Sequence, residues 1–294
     1  MPFTITVKEK INSLKEEYDR LRTDKDSLLQ LIDEAEVPEG VYNSNAIENS
    51  TLTLKDTEKI LLEMEISKDI SLREVFEAKN LARVMEYIRT KSKEEELSES
   101  LILLLHEMLI GNIDDNIAGR FRKESEYVRV GAHIAPDPVH IERMIEELLL
   151  EYSSDNIAYF IDKISKFHLD FETIHPFNDG NGRIGRVLIN YQLFRYGFPG
   201  IIIRDKEKKA YYDGFNEYRN DKRTKKTDRL IVLAIMESLH KRIAYLKAEK
   251  ILQLSEYAKR HDQSINALIN AARRQTIPAF REKGVWKIGE SYEH

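Results

Sequence analysis

One short stretch, residues 175–186, concentrates side chains that can act on a phosphate group. It reads His-Pro-Phe-Asn-Asp-Gly-Asn-Gly-Arg-Ile-Gly-Arg. The imidazole of His175 can accept a proton at neutral pH, since the ordinary histidine pKa is about 6.5, and this suits a general base. Gly180 and Gly182 allow backbone amides to converge on an anion where a helix begins. The stretch therefore predicts a phosphate-binding site with a proton acceptor beside it.

Two arginines and one carboxylate indicate the kind of phosphate. Arg183 and Arg186 fall in the first turn of the next helix, where each cation opposes the helix dipole by about 0.3 to 1 kcal/mol, so an anion should offset them. They share a face with Asn190 one turn later, and guanidinium forks suit polyphosphate oxygens. The single carboxylate of Asp179 fits Mg²⁺ held mainly by the substrate's own phosphates. Together these groups predict transfer of a phosphorus-containing group.

Helical periodicity brackets this stretch and covers most of the chain. Apolar residues recur at three- and four-residue intervals on both sides of 175–186, which predicts a loop between two helices. Further helices are predicted over 8–36, 71–91, 97–110 and 138–152, with a break at Pro38-Glu39-Gly40. A small hairpin is predicted within 119–136, around a glycine at 131. The expected fold is all-α.

Composition limits the classes of protein to which the chain can belong. Its 294 residues are 33% charged and 41% hydrophobic with a net charge of −5, which predicts a folded protein. The absence of cysteine excludes thiol catalysis and cysteine-ligated metal. No stretch approaches the roughly 18 uncharged residues that a membrane span needs, and charge appears early at the N-terminus. We expect a cytoplasmic location and no membrane partner.

The C-terminal segment differs in charge and pattern. Residues 250–294 carry 8 basic and 5 acidic residues, a net of +3, against −8 for the remainder. A helix is predicted over 254–261, then a turn, a helix capped by Ser264 that runs to about Arg274, and two extended pieces around 282–284. This pattern resembles the helix-turn-helix with a hairpin wing of excisionase-like modules. If the module reads DNA, the second helix would present four side chains to a groove, namely Asn266, Asn270, Arg273 and Arg274. A protein-docking, dimerising or capping role is the alternative.

Residues 175–186 resemble the Fic family signature, His-Pro-Phe-x-Asp/Glu-Gly-Asn-Gly/Lys-Arg-x-x-Arg, at every specified position. The similarity extends from about residue 98 to 219, where 119–122 and 133–136 are similar to the family's substrate-docking flap, and Tyr211-Tyr212 to its paired tyrosines. The resemblance implies an all-α Fic core with a small β-hairpin flap. It also implies a protein adenylyltransferase that moves AMP from ATP to a Tyr, Ser or Thr hydroxyl of a target protein and releases pyrophosphate.

The resemblance further implies a role for each matching position. His175 would deprotonate the target hydroxyl, and Asp179 would hold Mg²⁺ against the α- and β-phosphates. The amides of 180–182, with Asn181, would bind the α-phosphate. Arg183 would meet the β-phosphate and Arg186 the γ-phosphate. ATP, Mg²⁺ and a protein target are thus the implied cofactors and partner. Self-modification and a homodimer are left open, although dimers are frequent among similar proteins.

A second motif lies far upstream. Residues 44–49, Ser-Asn-Ala-Ile-Glu-Asn, resemble the family's inhibitory motif, Ser/Thr-x-x-x-Glu-Gly/Asn. Glu48 would then pair with Arg186 and occupy the arginine meant for the γ-phosphate, while Ser44 would fix the glutamate from one turn earlier. Two alternatives remain: a DNA-binding regulator with the Fic core as nucleotide sensor, or a hydrolase that removes AMP, with Glu48 positioning water.

These inferences predict a division of the chain into four segments. They are an N-terminal helical region over 1–97 with its inhibitory segment at about 41–52, a Fic core over 98–219, a helical connector over 220–249, and a winged-helix-like module over 250–294.

Overall fold

The computed structural model describes residues 5–67, 69–131 and 133–292, and the fold is mainly helical, as predicted. A π-helical turn at Lys59–Glu63 and two 3-10 turns at Pro138–His140 and Asp205–Glu207 supplement the α-helices. The α-helices are α1 (Ile5–Leu21), α2 (Asp26–Ile47), α3 (Leu54–Glu58), α4 (Leu72–Lys91), α5 (Glu99–Ile110), α6 (Ile141–Ser154), α7 (Phe160–Ile174), α8 (Asn181–Arg195), α9 (Lys208–Asp221), α10 (Lys225–Leu246), α11 (Leu254–Arg260) and α12 (Ile265–Arg273).

Strands are few and short. The predicted hairpin is confirmed, because β1 (Arg129–Val130) pairs antiparallel with β2 (His133–Ile134). A three-stranded antiparallel sheet near the C-terminus has the order β3-β5-β4 and contains β3 (Ile251–Gln253), β4 (Phe280–Glu282) and β5 (Val285–Gly289). Among the described residues, no helix combines the length and the apolar character needed to cross a bilayer.

The predicted first helix and the break after it were both wrong. A turn at 22–25 with Asp24 in the left-handed region (φ 61°) separates α1 from α2. Pro38, in contrast, lies inside α2. An interior proline costs about 3 kcal/mol, but the fully buried side chains of Val41 and Ile47 in the same helix contribute about 1.5 to 3 kcal/mol each. Burial of these side chains therefore offsets the cost of the missing N–H. A helix-propensity scale does not include this burial energy, so it predicts a break at Pro38.

The chain groups into two compact units. One, here called the loop unit, comprises Pro38–Gly197 and Ile202–Leu230 and contains the whole of 175–186. The other, here called the terminal unit, comprises the segments up to Val37, Phe198–Ile201 and from Ile231 onward. The predicted four-segment division stays a prediction.

Serine caps and buried aliphatic faces form the helices that carry the loop. The side chains of Ser71 and Ser98 accept hydrogen bonds from the first-turn amides of α4 and α5, and each such cap contributes about 1 kcal/mol. Helices α4 and α5 pack against α8, and α7 packs against α8. The buried faces of α7 and α8 include Phe167, Phe171 and Leu188. The loop at 175–180 thus connects two helices that pack in a common core.

The C-terminal part of the terminal unit has its own small core. The predicted helices and extended pieces are confirmed as α11, α12, β4 and β5, whereas β3 was not predicted. The buried side chains are Leu252, Leu254, Tyr257, Ala258, Leu268, Ala272, Ile277, Ala279 and Ile288. The order strand, helix, helix, strand, strand is the one expected for a winged-helix-like module, and that assignment stays a prediction.

Candidate functional site

Two residues with a left-handed backbone, His175 and Gly180, define the ends of the loop at 175–180. Helix α7 stops at His175, whose φ is 51° and whose N–H donates to Phe171 O at 2.9 Å. Helix α8 begins after Gly180, whose φ is 81°. A β-carbon at position 180 would lie 3.1 Å from Leu109 Cδ2 and 3.2 Å from Ile110 Cδ1, so both conformation and space favour glycine. The loop therefore turns sharply, so that the N-terminus of α8 faces the loop residues that precede it.

The side chain of Asn181 closes the loop instead of facing outward. Its Oδ1 accepts from Phe177 N at 2.9 Å, and its Nδ2 donates to Phe177 O at 2.8 Å. Asn181 is buried, with both side-chain groups engaged. Its predicted part in phosphate binding thus falls to its main-chain amide, which belongs to the first turn of α8 and has no intrahelical acceptor.

A buried histidine, His106, packs against the loop and hydrogen-bonds to its backbone. The ring of His106 stacks on Phe177 with 3.7 Å between centroids, and its Nδ1 accepts from Gly119 N at 3.1 Å. Since Nδ1 is an acceptor, Nε2 carries the proton and donates to Asp179 O at 3.1 Å. Burial lowers the pKa of His106 to about 4, so this arrangement persists at neutral pH.

The imidazole of His175 is unprotonated at neutral pH. Its side chain is only 13% exposed, and burial, followed by the charge of Arg122, lowers its pKa to about 4. Arg122 also holds the backbone in place, because its Nε donates to His175 O at 2.9 Å. On the inner side, Nδ1 lies 3.8 Å from Glu172 Oε2. A neutral imidazole is the form that a general base requires.

Arg186 meets both residues of the upstream motif. Its Nε donates to Ser44 Oγ at 2.9 Å, and its Nη2 donates to Ser44 O and to Glu48 Oε1, both at 2.8 Å. Its Nη1 donates to the hydroxyl of the fully buried Tyr211 at 3.3 Å. Every nitrogen of the buried guanidinium is therefore engaged.

The Glu48 carboxylate lies over the first turn of α8. A β-carbon at Gly182 would clash with Glu48 Oε1 and would lie 3.1 Å from Arg186 Nη1. Only glycine allows this approach, and the amides of the first turn carry the partial positive charge of the helix dipole. The chain's own carboxylate thus occupies the position in which the sequence predicts an external anion.

Asp179 and Arg183 form the other side of the site. Asp179 Oδ1 accepts from Gly180 N at 2.6 Å and from Arg183 Nη2 at 3.0 Å, and its Oδ2 accepts from Arg73 Nη2 at 2.6 Å. Burial raises the pKa of Asp179, but Arg183, Gly180 and Arg73 together hold it below the ordinary value. Asp179 is therefore an ionised carboxylate at neutral pH.

One carboxylate alone is a sparse donor set for a metal. Within residues 5–67, 69–131 and 133–292, no group of three or more His, Asp or Glu side chains could hold an ion. Mg²⁺, however, is commonly bound by one or two carboxylates plus substrate phosphates and water. The ionised, 35% exposed Asp179 fits that mode, and it fits no cage built from protein ligands alone.

The loop unit thus contains every residue predicted for the phosphate site and for its inhibition. Contacts join Ser44, Glu48, Gly182 and Arg186 into one group, and Gly180, Asp179 and Arg183 into another. Asn190 is half-buried one turn beyond Arg186, about 6 Å farther along the axis of α8, and its role stays a prediction.

Several supporting residues were not predicted. Glu77, one turn after Arg73 on α4, lies between Arg73 and Arg183. Glu172 is fully buried three residues before His175, and burial, followed by the charge of Glu48, raises its pKa to about 8. A charged pair four residues apart is common on any exposed helix, so the sequence carried no signal that set these residues apart.

Comparison with known proteins identifies the domain. Residues 96–193 match the model of the Fic/DOC family. The chain carries a Fic/DOC domain. It is 33% identical over 181 residues to the protein adenylyltransferase Fic of Nematostella vectensis, a match that covers 60% of this chain and 42% of that relative. The protein of the same name from Drosophila willistoni is 34% identical over 177 residues, which cover 58% and 35% of the two chains. The match thus spans less than half the length of these curated relatives.

A solved structure shares the fold well beyond the Fic domain. A Fic-domain-containing signalling protein from Bacteroides thetaiotaomicron superposes with a TM-score of 0.73 at 26% identity, over 82% of this chain and 97% of that one. The Fic fold assigned from residues 175–186 is therefore confirmed.

Proposed function

We propose that the chain is an autoinhibited protein adenylyltransferase, which transfers AMP from ATP to a hydroxyl side chain of a target protein and releases pyrophosphate. The names of its relatives and its Fic domain support the activity. The observation that carries the proposal is the position of the Glu48 carboxylate, 2.8 Å from Arg186 and over Gly182. A site that holds one anion at a helix N-terminus and on a buried guanidinium suits the phosphates of a nucleotide.

The chemistry follows from the groups around the loop. The target hydroxyl oxygen attacks the α-phosphorus while Nε2 of His175 takes its proton. The bond from the α-phosphorus to the bridging oxygen breaks, and pyrophosphate leaves with that oxygen. The first-turn amides of α8 stabilise charge on the α-phosphate, and Arg183 and Arg186 stabilise charge on the leaving group. Asp179 would hold Mg²⁺, which supplies further neutralisation of the phosphates when bound.

Inhibition follows from the hydrogen bond between Arg186 and Glu48. A γ-phosphate can bind Nη2 of Arg186 only if Glu48 leaves, because Ser44 O and Glu48 Oε1 accept from both hydrogens of that nitrogen. The Glu48 side chain is 34% exposed and directly follows the end of α2, so it can be displaced without opening the core. A triphosphate that binds while Glu48 stays in place would be held out of line for attack.

The proposal is tested with ATP labelled at the α-phosphate. Glu48→Gly should label protein, either itself or a lysate component, about 5- to 30-fold faster than the unchanged chain. Glu48→Gly combined with His175→Ala should transfer no label, because the proton acceptor is missing. Equal labelling with and without His175 would refute the catalytic assignment. Removal of label by the unchanged chain, absent in Glu48→Gly, would instead support AMP hydrolysis.

A second function, DNA binding, is favoured by one feature of the terminal unit. The side chains of Asn266, Asn270, Arg273 and Arg274 are all exposed on or directly after α12, at positions that share a face. No carboxylate in the described part of the chain pairs with either arginine. Asparagine and arginine are the side chains that read adenine and guanine in the major groove. We infer that α12 is the reading helix of the module.

Selection from random duplexes at about 150 mM salt tests this second function. The full chain should enrich defined sequences, and Arg273→Ala with Arg274→Ala should weaken binding at least tenfold. A matched control removes two exposed cations elsewhere, Arg143 and Lys209. An equal loss in the control, or no enrichment, would exclude sequence-specific reading.

A further inference from the structure

The carboxylate of Asp179 is not free in this structure, because a residue outside the Fic signature holds it. Arg73 Nη2 donates to Asp179 Oδ2 at 2.6 Å, and Arg73 Nε donates to Glu77 Oε1 at 3.0 Å. Glu77 Oε1 also lies 3.5 Å from Arg183 Nη1, and Arg183 Nη2 donates to Asp179 Oδ1. The four residues close a ring in which positive and negative charges alternate.

The two oxygens of Asp179 differ in how easily they can be freed. Oδ1 is fixed by Gly180 N and by Arg183, whose side chain is 4% exposed. Among the described residues, Oδ2 is held by Arg73 alone, whose side chain is 58% exposed. Oδ2 is therefore the oxygen of Asp179 that a ligand can take over by displacing an exposed side chain, that of Arg73.

The backbone at Arg73 is anchored although its side chain is exposed. The neighbouring Glu74 accepts from Thr51 N at 2.9 Å and from Thr51 Oγ1 at 2.7 Å, and Ser71 caps the same turn. This turn is thereby tied to the segment that directly follows Glu48. Since a cation in the first turn of a helix opposes the helix dipole, Arg73 is stabilised there chiefly by its two carboxylate partners.

We propose that Arg73 is the counter-ion of Asp179 in the nucleotide-free site and competes with the divalent cation for Oδ2. This inference rests on the proposed nucleotide site. A guanidinium and a divalent cation repel each other, so a cation on Oδ2 weakens the binding of Arg73 to the same oxygen, and Arg73 weakens the binding of the cation. When the cation binds, Arg73 leaves Oδ2 and keeps its bond to Glu77. Arg73 thus sets the concentration of Mg²⁺ at which the site fills.

The test measures binding, not turnover. In the Glu48→Gly chain, a fluorescent ATP analogue that cannot be cleaved is titrated with Mg²⁺, and anisotropy gives the half-saturating concentration. Arg73→Gln should lower that concentration about two- to fivefold, the range for an exposed ion pair. Arg73→Lys, which can keep the pair, should stay near the starting value. Arg143→Gln, the same charge change on α6 in the same unit, should leave it unchanged.

Three outcomes would overturn the inference. An unchanged half-saturation in Arg73→Gln would show that Arg73 does not compete. A higher half-saturation, with weaker analogue binding also in EDTA, would make Arg73 a phosphate ligand instead. An equal decrease of the half-saturating concentration in Arg143→Gln would show that the effect comes from the net charge of the protein and not from the position of Arg73. If Glu48→Gly itself fails to bind the analogue, the proposed function fails as well, and that result is distinguishable from the first three.

Discussion

The charge of Glu48 is the feature whose removal should change the protein most. Its carboxylate accepts a 2.8 Å hydrogen bond from the buried guanidinium of Arg186, and a hydrogen bond between charged groups contributes about 1.5 to 3 kcal/mol. The Glu48 side chain is 34% exposed, so solvent screening reduces that contribution to about 1 to 2 kcal/mol. Productive ATP must displace this bond. Its loss should therefore raise the rate of AMP transfer about 5- to 30-fold at ATP concentrations below saturation.

A graded series separates charge from size. Glu48→Gln keeps the shape but forms only a neutral acceptor, so its rate should fall between the unchanged chain and Glu48→Gly. Glu48→Gly should give the full increase. The assay is the initial rate of label transfer from ATP labelled at the α-phosphate, with unfolding temperatures measured in parallel. Glu65→Gly is a matched control, because Glu65 is an exposed carboxylate in a loop of the same unit. A Glu48→Gln rate above that of Glu48→Gly, or equal gains in the control, would refute the reasoning.

Further predictions follow from the loop. Burial, followed by the charge of Arg122, lowers the pKa of His175 to about 4. The kcat/KM of the Glu48→Gly chain should therefore stay constant from pH 7.5 to 6 and fall only below about pH 5. A fall centred near pH 6.5 would show that the imidazole is not buried as described. The same lowered pKa predicts that the contribution of His175 to stability is present above pH 6.5 and declines as the pH falls toward 4, a change measurable by comparing unfolding of His175→Gln with the unchanged chain. The added methyl group of Gly182→Ala would displace Glu48 but would also fill the proposed phosphate site. Calorimetry should therefore find weaker ATP binding, and the rate of AMP transfer should not rise. A higher rate would show that the anion binds elsewhere. Asn181→Ala removes both hydrogen bonds to Phe177, and a loss of about 1 to 3 kcal/mol in unfolding free energy is expected; an unchanged value would show that the loop is held by other contacts.

The sequence determined the family, the site loop and most elements of the fold. Helical periodicity predicted α4 and α5, because each buries one face that repeats at the helical interval, and it also predicted α7 and α8, which are buried on most sides. The loop within residues 175–186 was predictable because the chemistry inferred for it needs particular residue types at consecutive positions. Even the pairing of Glu48 with Arg186 was predicted, from a short motif, although the two residues are 138 positions apart.

Tertiary structure alone decided the rest. Pro38 stays inside α2 because burial of later residues outweighs a local penalty, and no local scale contains that balance. The side chain of Asn181 turns inward because Phe177 offers it both a donor and an acceptor. Arg73 reaches Asp179 only because α4 packs beside α8, which brings together two residues 106 positions apart. Sequence thus specified which groups can react, and packing specified which of them are held, shielded or paired before any substrate arrives.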